Sequence, residues 1–306
     1  MLVRTAMKIG YACINTILSA EGISVNRSMV KRTYAERGIA YASALALQNV
    51  NDLQKVINWN VAHRLLLYRM SSDMFPWMSE YEISDLPDYP AIKQRLLEIG
   101  RTAALHSLRL TFHPGPFNVL ATRDDLVLRK TIKELRQHGE IMDMLALPRS
   151  PFAKINIHVG GAYGDRPSAL KRFIQNFRSL PAEVSTRLTV ENDDKANMFS
   201  TGDLLIIHEE TGIPIVFDYH HHEFRSGDLT AEEAMFLAWQ TWPSHIAPIV
   251  HASSSRKKYE DSSSTHTAHA DYIYEPVNLF GLKADIMLEA KAKEQAALRF
   301  KAELGS

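Results

Sequence analysis

Eight short apolar segments recur along the chain with amphipathic stretches between them, and this alternation constrains the fold more than any other feature. Each segment is rich in Ile, Val, Leu or aromatic residues, which is typical of β-strands. The predicted strands cover residues 8–15, 64–70, 108–113, 154–159, 187–191, 214–219, 247–252 and 284–290. Apolar residues three to four positions apart predict helices over residues 40–58, 90–106, 124–147, 168–180, 201–211 and 231–241.

Repeated strand–helix order over 306 residues predicts an α/β fold, a single (β/α)8 TIM barrel in which residues 1–306 form one domain. An open doubly wound sheet is the alternative, but no Gly-rich phosphate loop follows the first predicted strand. Two local signals support the element boundaries. Thr230 with Glu233 is a capping-box pattern, and Gly212 stops one helix just before the sixth strand.

Charge and cysteine content exclude several classes of protein. Lys plus Arg and Asp plus Glu both number 35, so net charge provides no overall attraction to nucleic acid, although a local basic surface stays possible. Cys13 is the only cysteine, which excludes an intrachain disulfide and a thiolate metal cage. With no secretory signal and no apolar run of about 20 residues, we expect a cytoplasmic protein that does not enter a membrane.

Six of the predicted strands end in a histidine or a carboxylate. These residues are His113, His158, Glu191, Asp218, His251 and Glu289. In a barrel the carboxyl ends of the strands meet at one mouth, so the six side chains should converge there. One buried histidine is more often structural, but clustered carboxylates repel each other unless cations neutralise them. The pattern therefore predicts a centre for Mn²⁺, Zn²⁺ or Fe²⁺, which accept nitrogen and oxygen donors.

Further histidines follow the sixth and seventh strands. Residues 220–222 are all histidine, and His269 lies in the loop before the eighth strand; they are either solvated side chains or additional ligands. Counting His221 and His269 gives eight donors, enough for two or three metal ions with Glu191 as a bridge. Such sites clamp the attacking and leaving oxygens in phosphoryl transfer and hydrolysis. We expect Glu191, Glu289 and Asp218 to be the catalytic carboxylates.

The motifs around these donors resemble those of the UV damage endonuclease family. They read GY at 10–11 with Asn15, HPG at 113–115, NIHVGGAYG at 156–164, ENDDK at 191–195, FDYHH at 217–221, VHAS at 250–253, AHADY at 268–272 and MLEAK at 287–291. The resemblance runs from residue 8 to residue 304, and the order and spacing of the motifs make it specific.

This resemblance implies a barrel like those of xylose isomerase and abasic-site endonucleases, with a cluster of two or three metal ions. It implies Mn²⁺, with Zn²⁺ or Co²⁺ as possible substitutes. The implied activity is repair incision of duplex DNA immediately 5′ to cyclobutane pyrimidine dimers and 6-4 photoproducts. The implied partner is UV-damaged double-stranded DNA at the nucleoid, bound by a monomer without an obligate protein partner.

The resemblance also assigns contacts to DNA. Tyr11 and Asn15 match the family's lesion-contacting pair, although Tyr11 could equally be barrel packing. Pro116 and Phe117 stand where the family has a glutamine and an aromatic residue that probe the duplex opposite the lesion, so the aromatic is kept and the amide is absent. Ile249 replaces a lysine that the family often places beside the metals, which leaves the third ion either with a substituted ligand or weakly held.

A polar, serine-rich segment over residues 253–269 carries Arg256, Lys257 and Lys258. Its composition is typical of a flexible surface loop. Alternatively, it contacts DNA at the mouth, together with Lys195 and Lys291.

Two other functions remain open at the level of sequence. One is a sugar isomerase or epimerase on a similar metal-binding barrel, and the other is a lesion-binding protein without catalysis. The additional donors His221 and His269 and the basic loop favour a larger anionic substrate than a sugar. The complete set of eight donors argues against a protein without catalytic chemistry.

Overall fold

A computed structural model describes residues 7–304, and its eight parallel strands form a barrel. The strands are β1 (Ile9–Ala12), β2 (Leu67–Arg69), β3 (Arg109–Thr111), β4 (Ile155–Ile157), β5 (Leu188–Glu191), β6 (Ile215–Asp218), β7 (Ile249–Ala252) and β8 (Asp285–Leu288). They are hydrogen-bonded in the order β3-β2-β1-β8-β7-β6-β5-β4, and a parallel bridge between Phe112 and Ile155 joins β3 to β4. The predicted barrel is confirmed, with each strand shorter than its apolar segment.

Helices surround the strands. They are α1 (Thr16–Ala20), α2 (Lys31–Ala62), α3 (Tyr89–Leu105), α4 (Asp125–Met144), α5 (Arg166–Phe177), α6 (Ala182–Ser185), α7 (Thr201–Thr211), α8 (Tyr219–Phe224), α9 (Ala231–Gln240), α10 (Arg256–Tyr259) and α11 (Lys293–Leu304). All six predicted helices are present. Helix α2 begins earlier than predicted, because the chain continues through a non-helical Gly38 with φ of 65°.

Local sequence signals fix several helix ends. Thr230 and Glu233 form the predicted capping box of α9, and a second box joins Ser200 to Asp203 at the start of α7. Gly212 ends α7 in the left-handed region with φ of 75°, a conformation that favours glycine. The end of α7 at Gly212 fixes where β6 begins, and therefore how far Asp218 at the end of β6 lies along the barrel axis.

Alternation along the strands divides the buried side chains into two sets. In β7, Val250 packs in the large core shared with the helices, whereas Ile249 packs in a separate small cluster with Leu67, Val216 and Met287. Residues at alternate positions of a strand point to opposite faces, so this small cluster lines the inside of the barrel. The residue two positions further along β7 is His251, which must also point inward and lies closer to the mouth. Within residues 7–304, no helix has the length and apolar character needed to cross a membrane.

Candidate metal centre

Six predicted donors come together at the carboxyl ends of the strands. Glu191 and Asp218 are the last residues of β5 and β6, and His251 lies within β7. The donors form two groups that share Glu191, and within each group the ligand atoms lie within 4.8 Å of one another. The groups are His113, His158 and Glu191, and Glu191, Asp218, His251 and Glu289. Convergence at the mouth follows from the equivalent strand-end positions read from the sequence.

Glu191 stands at the centre of both groups and is 0% exposed. Its Oε2 lies 3.0 Å from His113 Nε2 and accepts a hydrogen bond from the Asn156 side chain. Its Oε1 lies 3.1 Å from His251 Nδ1 and 3.4 Å from His221 Nδ1. Burial alone would raise the pKa of Glu191, but the surrounding imidazoles, His251 foremost, hold that pKa well below its usual range. The carboxylate therefore stays ionised and presents one oxygen to each group.

The residues fit divalent metal ions, as their unpaired atoms show. Four buried atoms of the two groups form no hydrogen bond of good geometry: His158 Nδ1, Glu191 Oε1, Asp218 Oδ2 and His251 Nδ1. Glu191 Oε1 and His251 Nδ1 lie 3.1 Å apart, and His158 Nδ1 lies 3.3 Å from Asp193 Oδ1, so these atoms face charged neighbours without a well-aligned bond. A buried polar atom without a partner costs about 1–3 kcal/mol, so four in one cluster need an explanation. A divalent cation between them would remove the cost, and mixed imidazole and carboxylate donors suit Mn²⁺, Fe²⁺ and Zn²⁺.

The imidazoles of the first group differ in protonation. Burial lowers the pKa of His113 to about 4, so its lone pair is available at neutral pH. Burial would also lower the pKa of His158, but Glu191 and Asp193 outweigh it and raise that pKa to about 9. Because a metal binds neutral imidazole, metal binding near neutral pH must displace a proton from His158.

His221 and His269 lie beside the two groups. His221 Nδ1 donates to the Asn192 carbonyl over 2.9 Å, and His269 Nδ1 donates to the Glu289 carbonyl over 2.8 Å. Their ring centroids are 6.4 Å apart. In the described part of the chain, neither belongs to a group of three close donors. The structure therefore gathers ligands for two ions, and a third ion on these histidines remains a prediction.

Several side chains that the sequence did not single out hold the candidate donors in position. Arg69, at the end of β2, is largely buried and donates from Nη1 to Glu289 Oε1 over 2.5 Å. Asp193 Oδ1 lies 3.3 Å from His158 Nδ1, and Asn156 bonds Glu191. Asn156 and Asp193 lie within quoted motifs, and inward alternation along β2 would have placed Arg69 at the mouth.

A lysine lies beside the cluster, but it comes from the start of β4 and not from β7, where the related family often has one. Ile249 is fully buried in the small apolar cluster inside the barrel and reaches no ligand. Lys154, just before β4, is fully buried, and its Nζ donates to His251 Nε2 over 3.1 Å. With Nε2 in contact with Lys154, the other ring nitrogen of His251, Nδ1, faces Glu191 and Glu289. The amino group therefore reaches His251 from the start of β4, three strands away from β7.

Tyr11 and Asn15 are both buried, so the structure does not support their predicted contact with a lesion, which stays a prediction. Tyr11 is 0% exposed, and its hydroxyl donates to Asn60 Oδ1 of α2 over 2.7 Å. Asn15 is also buried, donates to the Tyr11 hydroxyl and caps α1. The reason is strand parity: Gly10 and Ala12 face the inside, so Tyr11 points outward against α2.

The other predicted DNA contacts lie at the surface of the mouth. Phe117, after Pro116 in the β3–α4 loop, is 87% exposed. The segment 253–269 is held by hydrogen bonds rather than left open: α10 lies inside it, and Ser255 forms an antiparallel bridge with His269. Lys258 is paired with Glu275, and Lys257 Nζ lies 3.3 Å from His266 Nε2.

A parallel barrel with two imidazole and carboxylate groups at its mouth defines a TIM-barrel protein whose strand ends could hold metal ions. The family model "UV-endonuclease UvdE" matches residues 7–306, so the chain belongs to this family of endonucleases. This membership confirms the resemblance found in the sequence motifs, and it makes the protein an enzyme that acts on phosphodiester bonds.

Individual relatives agree. A UV DNA damage endonuclease from Bacillus thuringiensis subsp. konkukian is 35% identical over 269 residues, covering 85% of this chain and 81% of the relative. The solved structure of SacUVDE matches with a TM-score of 0.85 and 30% identity over 98% of each chain. Endonuclease IV from Thermus thermophilus matches over 97% of this chain and 99% of its own, with a TM-score of 0.52 and 14% identity, and shares the fold.

Proposed function

We propose that this enzyme nicks duplex DNA immediately 5′ to UV photoproducts, with cyclobutane pyrimidine dimers and 6-4 photoproducts as substrates, and thereby starts an alternative excision repair. The observation that carries the proposal is the pair of donor groups around Glu191 with four unpaired buried atoms. Membership in an endonuclease family gives the phosphodiester as the bond that is cut. It also favours DNA over the sugar substrates of isomerases and epimerases on similar barrels.

Glu191 is the proposed bridge between two ions. His113 and His158 complete one site, and Asp218, His251 and Glu289 complete the other. We propose Mn²⁺ as the native ion, with Zn²⁺ or Co²⁺ as substitutes. When bound, these ions supply Lewis-acid stabilisation of the charge that develops on the phosphoryl oxygens.

The chain's own residues keep these ligands in place. Asn192 holds the helix that carries His221, because its side chain accepts from Asp218 N and donates to the Asp218 carbonyl. Arg69 fixes the Glu289 carboxylate against rotation through a charge-assisted hydrogen bond. Such outer contacts orient metal ligands, and removing them typically reduces metal affinity or activity about 10–100-fold.

We propose that the metals and the flanking loops bind one damaged duplex, and that Phe117 inserts into or stacks on the distorted duplex opposite the lesion. Its nearly full exposure at the mouth supports this role, because an exposed large apolar side chain is stabilised when a binding partner covers it. Pro116 cannot donate the amide hydrogen bonds of a glutamine, so we expect weaker discrimination of the strand opposite the lesion. We further propose a cytoplasmic monomer, associated with the nucleoid through DNA, in which residues 1–306 form a single domain.

A duplex oligonucleotide with one cyclobutane dimer tests the position of the cut. With Mn²⁺, the 5′-labelled damaged strand should yield one product that ends immediately before the dimer and carries a 3′-hydroxyl that a polymerase extends. A 6-4 photoproduct in the same sequence tests the second lesion. Cleavage on the 3′ side, or equal cleavage of the undamaged duplex, would contradict the proposal.

A further inference from the structure

The loops that follow β3 and β4 each carry an exposed aromatic side chain, and of these two residues only Phe117 has a proposed role. The second is Tyr163 in the β4–α5 loop, which is 55% exposed. Its loop starts at His158 and the loop of Phe117 starts at His113, and these two imidazole rings are 5.4 Å apart. Both aromatic residues therefore lie a few residues from ligands of the same predicted ion.

The two loops are fixed to each other, so the position of Tyr163 is defined. A Cβ on Gly161 would meet the Ala121 carbonyl oxygen at 2.5 Å, which shows how closely the backbones approach. Arg172 joins the same two loops, because it donates to the Ala121 carbonyl over 2.8 Å and to the Gly161 carbonyl over 2.7 Å. The Tyr163 hydroxyl lies 3.4 Å from Thr122 Oγ1. The ring is thus held at one edge and exposed elsewhere.

Positive charge accompanies the Tyr163 ring. The guanidinium carbon of Arg123 lies 4.9 Å from the ring centroid, and that of Arg172 lies 5.7 Å from it. Arg123 is exposed, and within residues 7–304 its side chain forms no hydrogen bond or ion pair. The nearby carboxylates of Asp124 and Asp165 accept backbone hydrogen bonds as N-caps of α4 and α5. The capping bonds lower the pKa of Asp165, and Arg123 adds to this effect but forms no hydrogen bond or ion pair with that carboxylate among the described residues. Arg123 therefore keeps its donors available to a phosphate.

We propose that Tyr163 and Arg123 form a second contact for DNA, in which the tyrosine stacks on a base or sugar and Arg123 binds the adjoining phosphate. This proposal rests on the proposed function, because it takes damaged DNA as the ligand of the mouth. An exposed ring with an unpaired arginine above it suits a nucleic-acid strand, which presents flat bases and anionic phosphates at regular spacing. Tyr163 thereby extends the bound segment from Phe117 along the rim above β4.

Single-turnover incision of a dimer-containing duplex, with enzyme in excess and Mn²⁺ present, separates binding from chemistry. Tyr163→Ala should raise the half-saturating enzyme concentration about fivefold to 150-fold, the range for removal of one base stack, and leave the limiting rate constant unchanged. Tyr163→Phe keeps the ring and should behave as the wild type. Phe236→Ala removes an exposed aromatic residue from the outer helix α9 and is the matched control. Arg123→Gln should reduce the log–log salt slope of binding by about 0.9, whereas Arg101→Gln on α3 should not.

Photocrosslinking of the wild type tests the contact without any substitution. Duplexes with 5-iododeoxyuridine at successive positions beside the dimer should yield a DNA adduct on the peptide that contains Tyr163. A Tyr163→Ala variant that saturates like the wild type, or adducts that avoid this peptide, would overturn the second contact alone. A wild-type protein that neither binds nor cuts the damaged duplex would instead overturn the proposed function, and this proposal with it.

Discussion

In the described part of the chain, Lys154 is the one lysine that is fully buried. Replacing it with Met should change how the free energy of unfolding depends on pH. Burial, reinforced by Arg69 and Arg109, lowers the pKa of Lys154 from 10.5 to about 7 in the metal-free protein, although Glu191 acts in the opposite direction. The unfolded chain therefore binds more protons than the folded one between about pH 7 and pH 10.5. The contribution of Lys154 to the free energy of unfolding therefore rises with pH across this window.

The expected magnitude follows from the shift in pKa. A change of about 3.5 pH units at about 1.36 kcal/mol per unit corresponds to about 5 kcal/mol over the whole window. Met fills similar space without a charge, so relative to the wild type the Lys154→Met protein should lose about that much stability as the pH rises from 7 to 10.5. His158 and His221, whose pKa values are raised, act in the opposite direction in both proteins and largely cancel in the comparison.

Urea unfolding in EDTA, followed by circular dichroism at several pH values from about 7 to about 10, measures this difference. Lys171→Met, on the exposed face of α5, is the matched control and should leave the shape of the pH profile unchanged. Parallel profiles for the wild type and Lys154→Met would refute the reasoning, because they would mean that folding does not lower the pKa of Lys154.

Three further predictions concern the mouth. Apparent Mn²⁺ affinity, measured by titration calorimetry, should increase as the pH rises from about 6.5 towards 9, because His158 must lose a proton on binding; a pH-independent affinity would contradict its role as a ligand. Phe117→Ala should weaken binding to damaged duplex by about 1–3 kcal/mol and affect damaged single strands less, and equal effects on both would indicate rim packing instead. Replacing residues 256–258 by alanine should flatten the salt dependence of duplex binding by about 0.9 for each phosphate that the variant no longer binds, and an unchanged slope would make the segment a connection only. Because Lys258 is already paired with Glu275, we expect the slope to change by less than the value for three phosphates.

The sequence predicted the barrel and the convergence of the candidate donors because both depend on simple repetition. Strand ends in a parallel barrel are equivalent, so His113 and Asp218 could be placed together without knowing any distance. Parity also predicts correctly that Ile249 and His251 point the same way. The same rule turns Tyr11 outward, because Gly10 and Ala12 on either side of it face the inside of the barrel.

Interactions between distant strands could not be read from the chain. Lys154 reaches His251 across the barrel, and a lone lysine before a predicted strand is ordinarily a solvated boundary residue. The pairing of Arg69 with Glu289 depends likewise on β1 lying between β2 and β8, a neighbour relation that only the closed barrel establishes. The structure of segment 253–269 was missed because its serines suggested flexibility, whereas Ser255 and Asp261 cap and bond the backbone.

Nicking of UV-irradiated supercoiled plasmid tests the central claim, a metal-dependent endonuclease centred on Glu191, most directly. With Mn²⁺, wild-type protein should convert irradiated plasmid to the relaxed form and leave unirradiated plasmid intact, and EDTA should abolish the conversion. Glu191→Gln should show no nicking while its circular dichroism spectrum matches the wild type, and Glu36→Gln, a surface carboxylate paired with Arg32 at 2.7 Å, should nick normally. Wild-type rates from Glu191→Gln, or nicking that persists in EDTA, would contradict the account.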